Sequence, residues 1–180
     1  AKFPLIHPPG TAWSYASGTT NIAARIAAQA LGASGDAFRD FMVRELFGPI
    51  GMASADPKFD RAGTFIGSSF CFCTVRDFAR FGMLYLRGGV WDGRRILPEG
   101  WADYARTPTP VPPTETYGYG AHWWLGMAGP GSFSSNGYEG QYTVMVPELD
   151  LILVRNGKSP LEQKDEVMRW MGDVADCFRG

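Results

Sequence analysis

The hydrophobic period changes once along this chain, and the change falls across four closely spaced prolines, Pro108, Pro110, Pro112 and Pro113. Before them apolar residues recur at three and four, the spacing of a helix face; after them they alternate with period two, the spacing of a strand. A chain patterned this way is expected to be α/β (α+β), with a helical lobe over 10–106, a Pro-rich linker over 107–118, and an antiparallel sheet with a C-terminal helix over 119–180. Its 180 residues, 45% apolar, are enough to bury roughly 70% of the surface that an unfolded chain exposes. Gly (23) and Pro (13) together make up a fifth of the chain, so many turns join short elements. There is no internal repeat, and the composition does not fit disorder, collagen or a coiled coil.

Local signals place the elements. Ser17 or Thr19 can cap a helix reaching about Leu31, with Ile22, Ala23, Ile26, Ala27 and Ala30 facing inward and Gly32 stopping it. Asp36 can cap a second, ended by Gly48 and Pro49. Thr74 and Asp77 form a capping-box pattern for a third, with Phe78, Phe81, Gly82, Tyr85 and Leu86 inward. Asp92-Gly93 suits a tight turn, and Pro98 the start of a short helix carrying Trp101 and Tyr104. Strands are expected at Tyr119–Leu125, Gln141–Val146 and Leu151–Arg155, the last two antiparallel across Pro147–Asp150. Ser159, Pro160 and Glu162 open a final helix whose Val167, Met168, Met171, Val174, Ala175 and Phe178 share one face.

Several chemistries are disfavoured. The net charge of −1, without a basic run, makes nucleic acid an unexpected partner. Apolar stretches stop well short of the ~18 residues that span a bilayer. Residues 1–10 lack the basic and apolar regions of a signal peptide, and Ala1 is not Met, so the chain is expected to begin in mid-protein. Two histidines, His7 and His122, with Cys71 and Cys73 offer no workable metal set, and no cofactor is expected. Three cysteines give no disulfide framework. The Gly-rich nucleotide loops are missing, and Gly67-Ser68-Ser69-Phe70-Cys71 lacks the second Gly of a nucleophile elbow. Phe70 and Phe72 imply an apolar setting for Cys71, which raises a thiol pKa and points to packing rather than nucleophilic attack.

What remains is Pro9-Gly10-Thr11-Ala12-Trp13-Ser14-Tyr15-Ala16-Ser17-Gly18, which brings two aromatic rings and several hydroxyls to the mouth of a helix. Taken alone, Tyr15 reads as a packed tyrosine with a satisfied hydroxyl rather than a functional one.

This segment resembles the second motif of the serine β-lactamase-like hydrolases, P-G-x-x-W/F-x-Y-x-N/S, in the group holding class C β-lactamases, D-Ala-D-Ala peptidases and related esterases and amide hydrolases. Further matches follow in order: Phe47-Gly48-Pro49-Ile50-Gly51-Met52, then Gly67-Ser68-Ser69 through Thr74-Val75-Arg76-Asp77-Phe78-Ala79-Arg80-Phe81-Gly82, Gly88-Gly89, and Pro147-Glu148-Leu149-Asp150-Leu151. Arg95-Ile96-Leu97-Pro98 and Gly137–Gln141 look most like the branch containing 6-aminohexanoate-dimer hydrolase. The resemblance implies a β-lactamase/penicillin-binding-protein-like fold whose N-terminal part is missing, residues 1–180 being a partial domain.

It also implies acyl transfer by a serine in an S-x-x-K motif. No serine stands three residues before Lys58, Lys158 or Lys164, and nothing precedes Lys2 at that distance, so the motif is not in this chain. The expectation is therefore the C-terminal portion of a serine hydrolase, inert by itself, and the alternative is a non-catalytic binding module or pseudoenzyme of the same fold. By position, Tyr15 would exchange protons with nucleophile and leaving group, and Ser17 would contact substrate or the lysine of the missing motif. The third motif falls on Tyr138-Glu139-Gly140: these residues would meet substrate, and the backbone N–H of Gln141 would be an oxyanion-hole donor. Tyr138 replaces the cation often found there, which favours a small-molecule ester or amide without the carboxylate of a penicillin.

Overall fold

The computed structural model describes residues 4–180; Ala1, Lys2 and Phe3 lie outside the described residues. The chain forms two compact units, Ala1–Cys73 and Thr74–Gly180.

The first unit contains α1 (Ser17–Leu31) and α2 (Asp36–Met42), which runs on into a π-turn, Val43–Phe47, and a small antiparallel pair, β1 (Asp56–Pro57) with β2 (Cys71–Phe72). Phe38 anchors it, its ring within 6.4 Å of those of Phe41, Phe59 and Phe65. α1 ends as expected, on Gly32 at φ 60°, but its start differs: the N-cap is Ala16 and no side chain caps it. The inward face expected of it is also different. Ile22 and Ile26 are exposed, and only Ala28 of this helix is buried. α2 likewise begins at Asp36 without using that side chain as its cap.

The second unit is a five-stranded antiparallel sheet, order β5-β6-β7-β8-β9, with helices packed on it. Its strands are β5 (Gly118–Tyr119), β6 (Trp124–Leu125), β7 (Phe133–Gly137), β8 (Gln141–Val146) and β9 (Leu151–Arg155). Before the sheet come α3 (Val75–Leu86), the hairpin β3 (Val90–Trp91) and β4 (Arg94–Arg95) turning at Asp92-Gly93, and α4 (Trp101–Arg106). α5 (Lys164–Asp176) follows it. Strand alternation sorts β8 into two faces. Tyr142, Val144 and Val146 pack with Met168, Met171 and Ala175 of α5. Met145 of the other face packs with Phe133, Trp123 and Ala105, and with Phe81 and Tyr85 of α3. α3 lies so close that a Cβ on Gly82 would come 2.8 Å from Met145 Sδ. Its Thr74 cap forms as the capping pattern predicts, accepting from the Asp77 N–H, while buried Asp77 pairs with Arg80 at 2.5 Å.

Three expectations need correcting. Tyr119–Leu125 is two short strands around a turn, because Ala121 N–H bonds the Ala105 carbonyl at 3.0 Å and the chain must fold back at Gly120 to reach it. β7 was not foreseen: Phe-Ser-Ser-Asn-Gly has weak strand propensity, and pairing with β8 supplies what the sequence does not. The last helix starts at Lys164, after a 3₁₀ turn at Leu161–Gln163, because the Ser159 hydroxyl accepts from Arg155 instead of capping; Phe178 lies past the helix end and is exposed. The Pro-rich stretch carries no regular element before Gly118, and its Thr109 N–H is tied to the Tyr119 carbonyl at 2.8 Å.

Candidate active site

The first unit brings two of the sequence motifs together. The segment leading into α1 turns at Gly10, φ 76°, with Thr11 Oγ1 donating to the Pro8 carbonyl at 2.8 Å. It then extends through Trp13 and Tyr15, whose ring centroids are 6.4 Å apart, to an extended Ala16. Tyr15 is 55% exposed, so its ring is not sequestered among packed helices. Ser17, two residues on, opens α1 and is exposed. Against the first turns of that helix lies the Gly67–Ser69 loop. The Ser68 N–H donates to Asn21 Oδ1 at 3.3 Å, and a Cβ on Gly67 would come 3.2 Å from Ala24 Cβ. The Ser68 and Ser69 hydroxyls are 3.5 Å apart.

Beside that loop is a feature the sequence reading missed. Phe70 has φ 61°, a backbone region costly for a bulky side chain, and is 56% exposed; its ring lies 6.3 Å from that of the equally exposed Phe72. The two rings do not enclose Cys71. They face out, while Cys71 on the opposite side of β2 is partly buried and its thiol is pushed up to about 11, first by burial and then by the negative charge of Asp56. That thiol stays protonated through neutral pH, as expected of a packing cysteine. Period-two alternation in Phe70-Cys71-Phe72-Cys73 was the signal that could have separated the two faces.

The other candidates lie in the second unit, at the tip of the β7–β8 hairpin. Tyr138 is 73% exposed there. Glu139 and Gly140 follow with φ 56° and 89°, and Gln141 pairs with Gly137 to close the turn. The space a Cβ would need on Gly140 is filled by Arg155 Nη1, 2.7 Å away. Gln141 opens β8, and its side-chain amide donates to the Gly157 carbonyl and accepts from the Gly157 N–H at 3.0 Å. β6 pairs with β7 only at Phe133 and Ser134, so among the described residues no strand covers the outer backbone edge of Ser135–Gly137. Among the described residues no cluster of three or more His, Cys, Asp or Glu could hold a metal ion, and no helix is long and apolar enough to cross a membrane.

The family model for β-lactamase matches residues 1–173. The chain belongs to the β-lactamase family. Among solved structures, this family member superposes on a candidate 6-aminohexanoate-dimer hydrolase from Bacillus anthracis with a TM-score of 0.81 and 27% identity, over 95% of this chain and 45% of that one. It superposes on a β-lactamase from Mycobacterium bovis with a TM-score of 0.74 and 17% identity, over 96% of this chain and 66% of the other, which shows a shared fold. Its sequence is 28% identical over 110 residues to 6-aminohexanoate-dimer hydrolase from Paenarthrobacter ureafaciens, a match spanning 56% of this chain and 28% of that protein. The chain thus has the serine-hydrolase-like fold of the β-lactamase family, helices with an antiparallel sheet, and spans less than half the length of these two hydrolase relatives.

Proposed function

We propose that this chain forms the C-terminal part of a serine hydrolase that cleaves a small ester or amide through an acyl-enzyme, with the nucleophilic serine and its lysine supplied by an S-x-x-K segment outside these 180 residues. The observation that carries the reading is the exposed Tyr15 ring at the mouth of α1, beside the Gly67–Ser69 loop. The serine oxygen attacks the substrate carbonyl and its proton passes toward Tyr15. The carbonyl oxygen gathers negative charge, and the leaving group departs with that proton. Water then repeats the sequence in reverse to free the acid.

An ordinary phenol is ionised only to about 0.1% at pH 7, so a tyrosine base needs a neighbouring cation, a role suited to the lysine of S-x-x-K. Ser17 is proposed to contact substrate. The hairpin is proposed to hold the acyl group through Tyr138, Glu139 and Gly140, with the Gln141 N–H as a donor to the oxyanion. The open outer edge of β7 at Ser135–Gly137 favours a second location for that donor, just before the turn. The names of the relatives, with Tyr138 in place of a cation, support an amide or ester without a penicillin-type carboxylate.

Fluorophosphonate labelling of the natural polypeptide, read by intact mass and peptide mapping, tests the proposal. Modification of a serine in an S-x-x-K sequence is the expected result; no labelled serine overturns it in favour of a binding module. Tyr15→Phe in the unlabelled, fluorophosphonate-reactive enzyme is expected to lower kcat on a p-nitrophenyl ester by about 10²–10⁴-fold with little change in KM, since it removes a proton-transfer group rather than a binding contact.

A further inference from the structure

One guanidinium braces the tip of the β7–β8 hairpin. Arg155, the last residue of β9, donates from Nη1 to the Gly140 carbonyl at 2.5 Å and to the Gly157 carbonyl at 3.2 Å, and from Nη2 to the Ser159 hydroxyl at 2.7 Å. The Ser159 N–H in turn donates to the Glu139 carbonyl at 2.9 Å. Two successive carbonyls of the turn, those of Glu139 and Gly140, are therefore held by the 155–159 segment. Gln141 closes the ring from the other side, its amide gripping both backbone groups of Gly157. A Lys158–Glu139 pair at 3.6 Å, whose lysine is exposed, adds little.

Two details show that the brace shapes the turn. Glu139 sits at φ 56°, a conformation unfavourable for a non-glycine residue unless its surroundings hold it. Gly140 and Gly157 both leave room for the guanidinium, since a Cβ would come within 2.7 Å of Arg155 Nη1 at the first and 3.1 Å of its Cζ at the second. Only a planar fork reaches three acceptors at once; a lysine ammonium at the same place would not match their geometry.

We infer that Arg155 is a positioning residue: it fixes the conformation of Tyr138–Gly140, and with it the direction in which this tip presents its backbone N–H groups and the Tyr138 ring to a substrate. The Gly140 carbonyl and the Gln141 N–H belong to one peptide group, so a cation on the oxygen draws charge through that group and strengthens the N–H as a donor. The catalytic consequence rests on the hydrolase reading above; the brace itself does not.

The test uses Arg155→Ala and Arg155→Lys in the full chain, read by amide hydrogen exchange. In Arg155→Ala, the amides of residues 138–141 are expected to exchange at least about tenfold faster, with those of residues 143–146 in the centre of β8 unchanged. Millimolar guanidinium is expected to restore slow exchange, and Arg155→Lys to recover it only in part. Unchanged exchange at the tip, or an equal rise throughout β7–β9 that guanidinium does not reverse, overturns the inference. Should Arg155→Ala fail to fold, Ser159→Ala, which removes one acceptor of the fork, is read in the same way.

In the fluorophosphonate-reactive polypeptide, Arg155→Lys is expected to lower kcat on p-nitrophenyl acetate by about tenfold to a hundredfold with KM within about twofold, as misplacement of an oxyanion donor requires. An altered tip with unaltered kcat overturns the positioning role. An unreactive wild type with a guanidinium-dependent tip overturns the hydrolase reading and leaves the brace standing.

Discussion

α1 and α3 are helices of similar length held in different ways. α3 begins on a side-chain cap at Thr74, pairs buried Asp77 with a partly exposed Arg80 in its first turns, and lays Gly82 against the Met145 side chain so closely that a Cβ there would come 2.8 Å from Sδ. α1 has no side-chain cap and no acidic residue in its first turn, and its Ile22 and Ile26 face solvent. Both have an apolar stripe, so the stripe alone does not distinguish a helix packed on a sheet from one whose apolar side is uncovered. The difference lies in what the neighbouring element offers. Beneath α3 lie Met145 of β8 and Ile152 of β9, with the Thr143 methyl beside them; next to α1 the close contacts are the Gly67–Ser69 loop and Thr20, Asn21 and Ala24 on the helix itself.

Substitutions can break this contrast. Phe133, which packs with Trp123 and Met145, is the largest fully buried side chain, and Phe133→Ala is expected to cost about 3–5 kcal/mol in urea unfolding. A smaller loss would mean that the layer between α3 and the sheet is loosely packed. Gly82→Ala forces a methyl against Met145 Sδ at 2.8 Å and against Ile152 and Thr143 at 3.3 Å; methionine can move, so the expected cost is about 1–3 kcal/mol. Stabilisation by this substitution would show that helix propensity outweighs the close approach. The finest comparison is between the two helix starts. Thr74→Ala is expected to cost about 1 kcal/mol, while Ser17→Ala, which removes no cap, should stay within about 0.5 kcal/mol. Equal losses at the two positions would erase the distinction.

The helix stops and the capping box were legible because they are local. Gly32 ends α1 in the left-handed region as a glycine there predicts, and Thr74 with Asp77 forms the expected cap. The β8–β9 hairpin was legible too, since four residues between two alternating runs leave few other ways to connect them. β7 was not legible, because its Ser-Ser-Asn-Gly sequence becomes a strand only when β8 lies beside it. At the candidate site, Tyr15, Ser17 and the hairpin were found by ordered resemblance rather than by spacing. Arg155 and Phe70 were found by neither: one matters through acceptors 15 residues upstream, the other through a backbone angle that no sequence pattern states.

Sequence alone determined the family, the change from helix to strand, and the turns at glycines whose backbone angles other residues avoid, because each is encoded in residues near one another along the chain. Tertiary structure decided which apolar stripe is buried, that Ser159 serves a guanidinium instead of a helix, and that the Arg155 guanidinium fills the space a Cβ on Gly140 would need. Burial and hydrogen-bond partnership are properties of pairs brought together by the fold, and a residue's own sequence neighbourhood does not contain its partner.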